Sequence, residues 1–313
     1  MDLRLTFLNL WLRLTVKPVL RRLNDPKRMR ALLERDAKRF FAIPDGATFA
    51  DETIPVDDRP PGTAQMPAVW ASVGTPDRRK VILYLHGGAY IAGSPRTHRH
   101  LAAALAGAAG ARAIVPDYRL APEDPFPAGL EDAVATYRHL LEAGYQGADI
   151  ALAGDSAGGG LAFATVLALE QRDLPAPGCV VGFSPWADMT GQADSIRRNA
   201  SRDVILPANR MDAAVQFYLG QAGRETPTAS PALAEWRSPP PALIMASDAE
   251  ILLDDAKMLA DGLRRGGGDV HLEIWPGLPH AWQIFCGRLG QADAAIEGAG
   301  KFIARHLGVM PEA

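Results

Sequence analysis

A single serine stands between two glycines in Gly154-Asp155-Ser156-Ala157-Gly158, which fits the pattern G-x-S-x-G. In this pattern a strand turns sharply into a helix, and the serine oxygen projects above the edge of a sheet. The flanking positions are glycine because larger side chains would clash with the neighbouring chain. The segment lacks the G-K-[ST] ending and the G-x-G-x-x-G register of phosphate loops. We therefore predict that Ser156 is a nucleophile and that the Ala157 N–H donates to an oxyanion.

A glycine pair follows the apolar run KVILYL, in the segment His86-Gly87-Gly88-Ala89. Hydrolases with a serine on a strand-to-helix turn take further oxyanion donors from the loop at this place. Bare backbone at Gly87 and Gly88 lets a reacting carbonyl oxygen approach, so we predict that both N–H groups donate to it. His86 precedes the serine, which is the wrong chain order for the base, and we interpret it as shaping the loop.

The base must come from the histidines after Ser156, because the chain order in this type of site is serine, acid, histidine. These histidines are His271, His280 and His306. His271 lies inside the last predicted strand and His306 in the last predicted helix. His280 lies in a loop just past the carboxyl end of that strand, where catalytic groups gather in open α/β sheets. The position predicts that His280 is the base.

The acid should follow the preceding apolar strand, PALIMAS. Asp254 and Asp255 fall at the start of a predicted helix, where acidic residues are favoured by the helix dipole alone. Asp248 and Glu250 remain, and the pattern does not separate them. Either carboxylate could hold the imidazole tautomer and stabilise its charge.

Strand-like and helix-like runs alternate from about residue 47, which predicts an α/β fold with a mostly parallel sheet covered on both faces. The first two strands have no helix between them, which predicts an antiparallel start. The predicted strands cover residues 48–56, 67–73, 80–86, 111–118, 149–154, 178–185, 241–247 and 269–277, and the helices between and after them cover residues 96–110, 129–144, 156–172, 252–267 and 292–307. Residues 187–234, with a helical centre at 207–220, interrupt this alternation and are expected to form a cap with the N-terminal helices.

The composition fits one large core in a chain of 313 residues with 48% hydrophobic content. The net charge is −3, which does not suggest nucleic-acid binding, a function that usually goes with a basic excess. Cys179 and Cys286 are far apart in sequence. We expect two buried thiols rather than a disulfide framework, and a reduced cytoplasmic setting.

The N-terminal segment is apolar but is interrupted by arginines and a lysine, so it predicts neither a membrane span nor a clear signal peptide. Leu3, Phe7, Leu10 and Leu14 recur at helical spacing. Two interpretations stay open: an amphipathic helix that packs on its own protein, and a helix that touches a membrane surface. Stable membrane insertion is not expected.

The motifs HGGAY, DYRLAPEDPFPA and GDSAGG together resemble those of the hormone-sensitive-lipase family of α/β-hydrolases, in its bacterial esterase branch. The resemblance runs from about Lys80 to beyond His280. It implies an eight-stranded core built from residues 46–186 and 235–313, and a helical cap built from residues 1–45 and 187–234. It also implies carboxylic esters of short to medium chain length as substrates, no cofactor or metal, and a possible homodimer through the last strand.

Carried over motif by motif, the resemblance matches the nucleophile to Ser156 and the base to His280. The family's acid usually is the first Asp of an Asp-Pro-Leu-x-Asp stretch, and the matching stretch here begins with Glu250, so Glu250 is predicted as the acid with Asp248 in reserve. Two departures are visible. Ala89 replaces the third glycine of the family's loop, and Asp124 replaces a usual histidine.

The sequence thus predicts a serine carboxylesterase that acts on small-molecule esters through an acyl-enzyme. An acyltransferase or amidase with the same triad is the first alternative, because the triad does not decide between water, alcohol and amine partners. A non-catalytic small-molecule receptor is the second, and it is disfavoured because His280 is present. A lipase acting at a membrane surface is the third, and it rests on the N-terminal helix.

Overall fold

The structure is a computed structural model and describes residues 3–22, 24–56 and 64–309. Small parts of the predicted segments 1–45, 46–186 and 235–313 lie outside the described residues. The strands are β1 (Ala47–Pro55), β2 (Gln65–Val73), β3 (Val81–Leu85), β4 (Arg112–Pro116), β5 (Ile150–Asp155), β6 (Cys179–Phe183), β7 (Ala242–Ser247) and β8 (Val270–Trp275). The helices are α1 (Leu3–Trp11), α2 (Lys17–Arg22), α3 (Pro26–Phe40), α4 (Pro95–Ala109), α5 (Ala128–Glu142), α6 (Ser156–Glu170), α7 (Asp194–Arg198), α8 (Met211–Leu219), α9 (Leu253–Arg265) and α10 (Gly290–Leu307).

The strands form one eight-stranded sheet in the order β1-β2-β4-β3-β5-β6-β7-β8. The pairs β1–β2 and β2–β4 are antiparallel, and every later pair is parallel. Both the mostly parallel sheet and its antiparallel start are therefore confirmed. Parallel neighbours place their carboxyl ends at one edge of the sheet, which is where the loops bearing the predicted site residues begin.

The central strands are buried on both faces, which explains why their sequences are continuous apolar runs rather than alternating ones. One face packs against α5, α6 and α9, and the other face packs against α4 and α10. The two cysteines, Cys179 and Cys286, are free and buried in the second of these layers, as expected.

The segment 187–234 lies between β6 and β7 and contains the helices α7 and α8. It is joined to the N-terminal helices by Lys17, whose Nζ donates to the carbonyl oxygens of Ala200 at 2.8 Å and Asp203 at 2.5 Å. The helices α1 and α2 run into each other through a short π-helical segment, Leu12–Val16. Within the described residues, none of the helices combines the length and hydropathy that crossing a bilayer requires.

Candidate active site

Ser156 stands at the junction of β5 and α6, where the strand ends at Asp155 and the helix begins at the serine itself. Its φ of +53° lies in the left-handed region, which residues with a side chain seldom adopt. Ser156 is half-buried, whereas most of the helix that follows it is fully buried. The structure thus has the sharp strand-to-helix turn that the G-x-S-x-G segment predicts.

Two glycines allow this turn to pack against β3. A Cβ atom added to Gly158 would lie 2.1 Å from the carbonyl oxygen of Leu85, and one added to Gly154 would lie 2.3 Å from the carbonyl oxygen of Gly158. Atoms of folded proteins do not approach that closely, so any side chain at either position would push backbone apart. The glycines therefore let the strand, the turn and the helix meet with backbone in contact.

The carboxylate of Asp155 braces the turn. Its Oδ1 accepts hydrogen bonds from the Tyr84 hydroxyl at 2.8 Å and the Gly87 N–H at 3.1 Å, and its Oδ2 lies 3.5 Å from His98 Nε2. Burial raises the pKa of Asp155, but the charge and hydrogen bond of His98, together with the bonds from Tyr84 and Gly87, outweigh burial and lower the pKa to about 2. Asp155 is ionised and ties the serine turn to the loop after β3.

His86 shapes that loop from within. Its Nδ1 lies 3.0 Å from the carbonyl oxygen of Gly87, and its ring stacks on Tyr118 with centroids 4.2 Å apart. The Tyr118 hydroxyl donates to the carbonyl oxygen of His86 at 2.6 Å. Burial and the neighbouring His98 lower the pKa of His86 to about 3, so the ring is uncharged at neutral pH. These contacts agree with a role in loop shape.

The Gly87 N–H does not fit its predicted role as an oxyanion donor. It donates to Asp155 Oδ1, so its hydrogen is already used. A Cβ atom at Gly87 would lie 2.1 Å from Asp155 Oδ2, which explains the glycine by the brace rather than by an approaching substrate. The prediction for Gly87 is corrected on these grounds.

Other backbone donors remain at the site. The N–H groups of Gly88 and Ala89 donate to no acceptor in the described part of the chain. Ala157 is the second residue of α6, and the first N–H groups of a helix have no acceptor one turn earlier. The available set is therefore Gly88, Ala89 and Ala157, of which Gly88 and Ala157 were predicted. Ala89 was noted in the sequence only as a departure from the family pattern.

His280 and Glu250 form a buried pair. His280 Nδ1 lies 2.5 Å from Glu250 Oε2, the geometry of an imidazole N–H that donates to a carboxylate, and Glu250 Oε1 accepts from the Ser247 N–H at 2.8 Å. Glu250 is fully buried and His280 is 5% exposed. His280 Nε2 is buried and has no hydrogen-bond partner among the described residues, so it is available to take a proton.

The electrostatics of the pair favour a charged imidazole. Burial alone lowers the pKa of His280, but the hydrogen bond and charge of Glu250 and the charges of Asp203 and Asp155 outweigh it and raise the pKa above 6.5. A base whose positive form is stabilised in this way takes a proton more readily during catalysis.

The other candidate acid, Asp248, points elsewhere. Its Oδ1 accepts from the Gly277 N–H at 2.8 Å, its Oδ2 lies 3.2 Å from the Arg202 guanidinium, and its side chain is 41% exposed. Asp248 therefore holds the start of the loop that carries His280. The structure separates the two acids that the spacing left open, and only Glu250 contacts the imidazole.

The loop after β6 brings the serine and the histidine to one place. The Trp186 N–H donates to the carbonyl oxygen of Ser156 at 2.9 Å, and the Ala281 N–H donates to Ser184 Oγ at 3.1 Å. The residues beside the nucleophile and beside the base are thus fixed to the same short segment, at the carboxyl edge of the sheet.

The sequence did not reveal how the loop of Glu250 is held. Asp203, from the segment 187–234, is 2% exposed, and its Oδ2 accepts from the Ile251 N–H at 3.0 Å. The Asn199 side-chain amide donates to the carbonyl oxygens of Asp248 at 3.0 Å and Glu250 at 2.8 Å. Both residues lie in a stretch without periodicity, and their partners are about 50 positions away, so no local signal could have identified them.

In the part of the chain that the structure describes, no three His, Cys, Asp or Glu side chains converge as metal ligands would. What the site offers chemically is a serine on a strained turn, an imidazole paired with a carboxylate, and free backbone N–H groups. These are the parts of acyl transfer to a serine.

Comparisons with known proteins agree with this chemistry. A family model described as an alpha/beta hydrolase fold matches residues 82–284. The chain is 41% identical over 241 residues to an acetyl-hydrolase from Streptomyces hygroscopicus, covering 77% of this chain and 80% of that protein.

Two solved structures are similar over nearly the whole length. An esterase from the bacterial hormone-sensitive lipase family superposes with a TM-score of 0.89 at 37% identity, covering 98% of this chain and 99% of the other. The esterase EstE5, in a crystal soaked with p-nitrophenyl butyrate, superposes with a TM-score of 0.90 at 34% identity, covering 99% of this chain and 100% of the other.

Proposed function

Since this chain belongs to the hormone-sensitive-lipase family of α/β-hydrolases and is a carboxylic ester hydrolase, we propose that it cleaves short- to medium-chain esters through an acyl-enzyme on Ser156. The observation that carries the proposal is the buried His280–Glu250 pair, whose second imidazole nitrogen lacks a partner among the described residues. A serine on a strained turn, fixed to the same loop as His280, supplies the nucleophile.

In the first half-reaction, His280 Nε2 takes the proton of Ser156 as its Oγ forms a bond to the ester carbonyl carbon. Glu250 keeps the imidazole in the required tautomer and stabilises its positive charge. The carbonyl oxygen becomes an oxyanion, which the N–H groups of Gly88, Ala89 and Ala157 stabilise. The bond between the carbonyl carbon and the alcohol oxygen then breaks, and His280 gives its proton to the departing alcohol.

In the second half-reaction, water replaces the alcohol. His280 takes a proton from the water as its oxygen attacks the acyl carbon, and the same N–H groups stabilise the second oxyanion. The bond to Ser156 Oγ breaks, the serine recovers its proton from His280, and the carboxylic acid leaves. No step needs a metal or a cofactor.

We further propose that residues 1–45 and 187–234 form a cap that limits acyl-chain length. Tyr218 of α8 stacks on Tyr90 of the loop after β3, with centroids 3.7 Å apart. Arg30 of α3 donates to the carbonyl oxygens of Ile91 and Ala121, both at 2.8 Å. Both segments thus contact the loop that carries the oxyanion donors. The name of the acetyl-hydrolase relative supports a short acyl group.

The experiment that tests the function measures initial rates on p-nitrophenyl esters from acetate to palmitate. We expect kcat/KM to peak for acyl chains of about two to eight carbons, because a closed cap leaves a pocket of limited size. A reaction quenched within the first turnovers should add one acyl mass to the peptide that contains Ser156. Hydrolysis without an acyl group on that peptide, or a folded protein inactive on every ester, would contradict the proposal.

The pH dependence follows from the pKa of His280. Its pKa is raised above 6.5, and only the uncharged imidazole can take the serine proton. We therefore expect kcat/KM to fall as the pH decreases, with a midpoint above 6.5 and a slope of one proton. The profile of initial rates from pH 5 to 9 measures this directly. Unchanged activity down to pH 5 would remove His280 from the role of base.

A further inference from the structure

Charge is distributed unevenly along this chain. Residues 1–45 carry 11 Lys and Arg but 5 Asp and Glu, which makes this segment +6. Because the whole chain is −3, the remaining residues carry −9. A basic segment attached to an acidic body is typical of binding to an anionic surface.

The same segment exposes an apolar stripe, which we define as Leu3, Phe7, Leu10 and Leu14. Their exposed fractions are 70%, 70%, 51% and 65%. The spacing of four, three and four residues places them on one face of a helix. Single exposed apolar residues are ordinary, but four large ones in a row leave apolar area that needs a partner.

The other side of this helix is already in use. Asn9 Nδ2 donates to the carbonyl oxygen of Gly277 at 3.1 Å, and Arg13 donates to the carbonyl oxygen of Arg202 at 3.4 Å. Lys17 is bound to the segment around Asp203. These bonds fix the rotation of the helix about its axis, so the apolar stripe is held on the outside of the folded protein.

Exposed cationic side chains follow the apolar stripe along the chain. Arg21 and Arg22 end α2, and Lys27 and Arg28 lie in the first turns of α3, all four exposed. A helix that is apolar on its outer face and flanked by cations suits the boundary between lipid headgroups and acyl chains. We propose that residues 3–22 and 24–28 dock this protein on an anionic lipid surface, with the apolar stripe among the acyl chains and the cations at the headgroups.

A second copy of the chain fits this surface less well. In a twofold dimer the same patch meets itself, so each basic segment would face the other. Like charges at close range oppose such a contact. An anionic lipid surface complements both the apolar stripe and the cations.

The test is sedimentation with vesicles, which needs no enzymatic activity. The wild type should sediment with vesicles of phosphatidylcholine and phosphatidylglycerol in equal amounts. At least about ten-fold less protein should sediment with vesicles of phosphatidylcholine alone. The variant Phe7→Ser/Leu10→Ser/Leu14→Ser should bind the anionic vesicles at least ten-fold more weakly. Leu233→Ser, at an apolar residue of the segment 187–234 that is 41% exposed, is the matched control and should bind like the wild type.

The charges are tested separately. Arg21→Gln/Arg22→Gln should weaken binding by about five-fold for each arginine, and the difference should shrink as salt is added. Arg264→Gln, an exposed arginine of α9, is the control and should have no effect.

Three results would overturn the proposal. The first is a wild type that does not sediment with anionic vesicles, and the second is a triple variant that binds as well as the wild type. The third is a lipid-free dimer, detected by light scattering, that the triple variant abolishes. The last result would assign the apolar stripe to a second copy. If the triple variant does not fold, Leu14→Ser alone carries the same comparison.

Discussion

Replacing Ser156 with alanine is expected to lower kcat/KM for p-nitrophenyl acetate by at least about 10⁴-fold and to leave the fold intact. The change removes the only atom that forms the acyl bond, while Gly154 and Gly158 keep the turn in place. The backbone at this position is already left-handed with a side chain, so alanine adds no new strain. Initial rates and thermal unfolding of both proteins measure the two parts of this expectation.

The control is Ser72→Ala, which removes a hydroxyl that pairs with Thr48 at 2.9 Å on the antiparallel edge of the sheet. It should keep full activity. A Ser156→Ala protein that retains more than a tenth of the wild-type rate would mean that another group attacks the ester. A loss of both activity and cooperative unfolding would instead show that the serine side chain supports the turn.

Glu250→Gln is expected to reduce kcat by about 10³- to 10⁴-fold with a small change in KM. An amide at this position can donate to His280 Nδ1, which would turn the imidazole into the tautomer that cannot take the serine proton. Loss of the negative charge should also lower the pKa of His280, because Glu250 is the main group that raises it. The remaining activity should therefore extend to lower pH than in the wild type.

Asp248→Asn is the matched control, since it makes the same chemical change two residues away. Asp248 accepts from the Gly277 N–H and is partly exposed, so the change should lower activity by no more than a few-fold. The opposite ranking, with Asp248→Asn the more damaging variant, would move the acid to Asp248. Equal and large losses in both would indicate that the loop of His280 has collapsed.

The fold could be predicted from the sequence because each element carries a local signal. Continuous apolar runs identify strands buried on both faces, and Gly110 and Gly144 mark the ends of the helices before them. The nucleophile and the base could be predicted for a similar reason. Ser156 sits in a short pattern with a steric cause, and His280 follows directly after a strand.

The oxyanion donors and the acid could not be fully predicted, because their identity depends on contacts between residues that are far apart in the sequence. Gly87 and Gly88 are identical residues at adjacent positions. The N–H of Gly87 nevertheless donates to Asp155, which lies 68 positions away in the sequence, and the N–H of Gly88 does not. Glu250 and Asp248 both carry a carboxylate and both follow β7 closely, and only the contact of His280 with Glu250 distinguishes them. Spacing along a chain cannot report which of two neighbouring groups a remote residue will contact.

The uncharged ring of His86 makes folding itself respond to acid. Its pKa is about 3 in the folded chain, against 6.5 for an ordinary imidazole. Between these two pH values the unfolded chain binds a proton that the folded chain does not. The free energy of unfolding therefore falls by up to about 1.4 kcal/mol for each unit by which the pH decreases. His100, buried with a pKa of about 4, adds a penalty of the same sign.

The effect of His280 on the free energy of unfolding has the opposite sign, because its pKa is raised in the folded chain. The stability that it contributes is present in acid and is lost as the pH rises through that pKa. Acid therefore acts on this protein twice. It first protonates the base, which neutralisation reverses. It then weakens the native state through the buried imidazoles of His86, in the loop of the oxyanion donors, and His100, in α4. Storage in acid therefore weakens this protein through buried histidines that take no part in the chemistry.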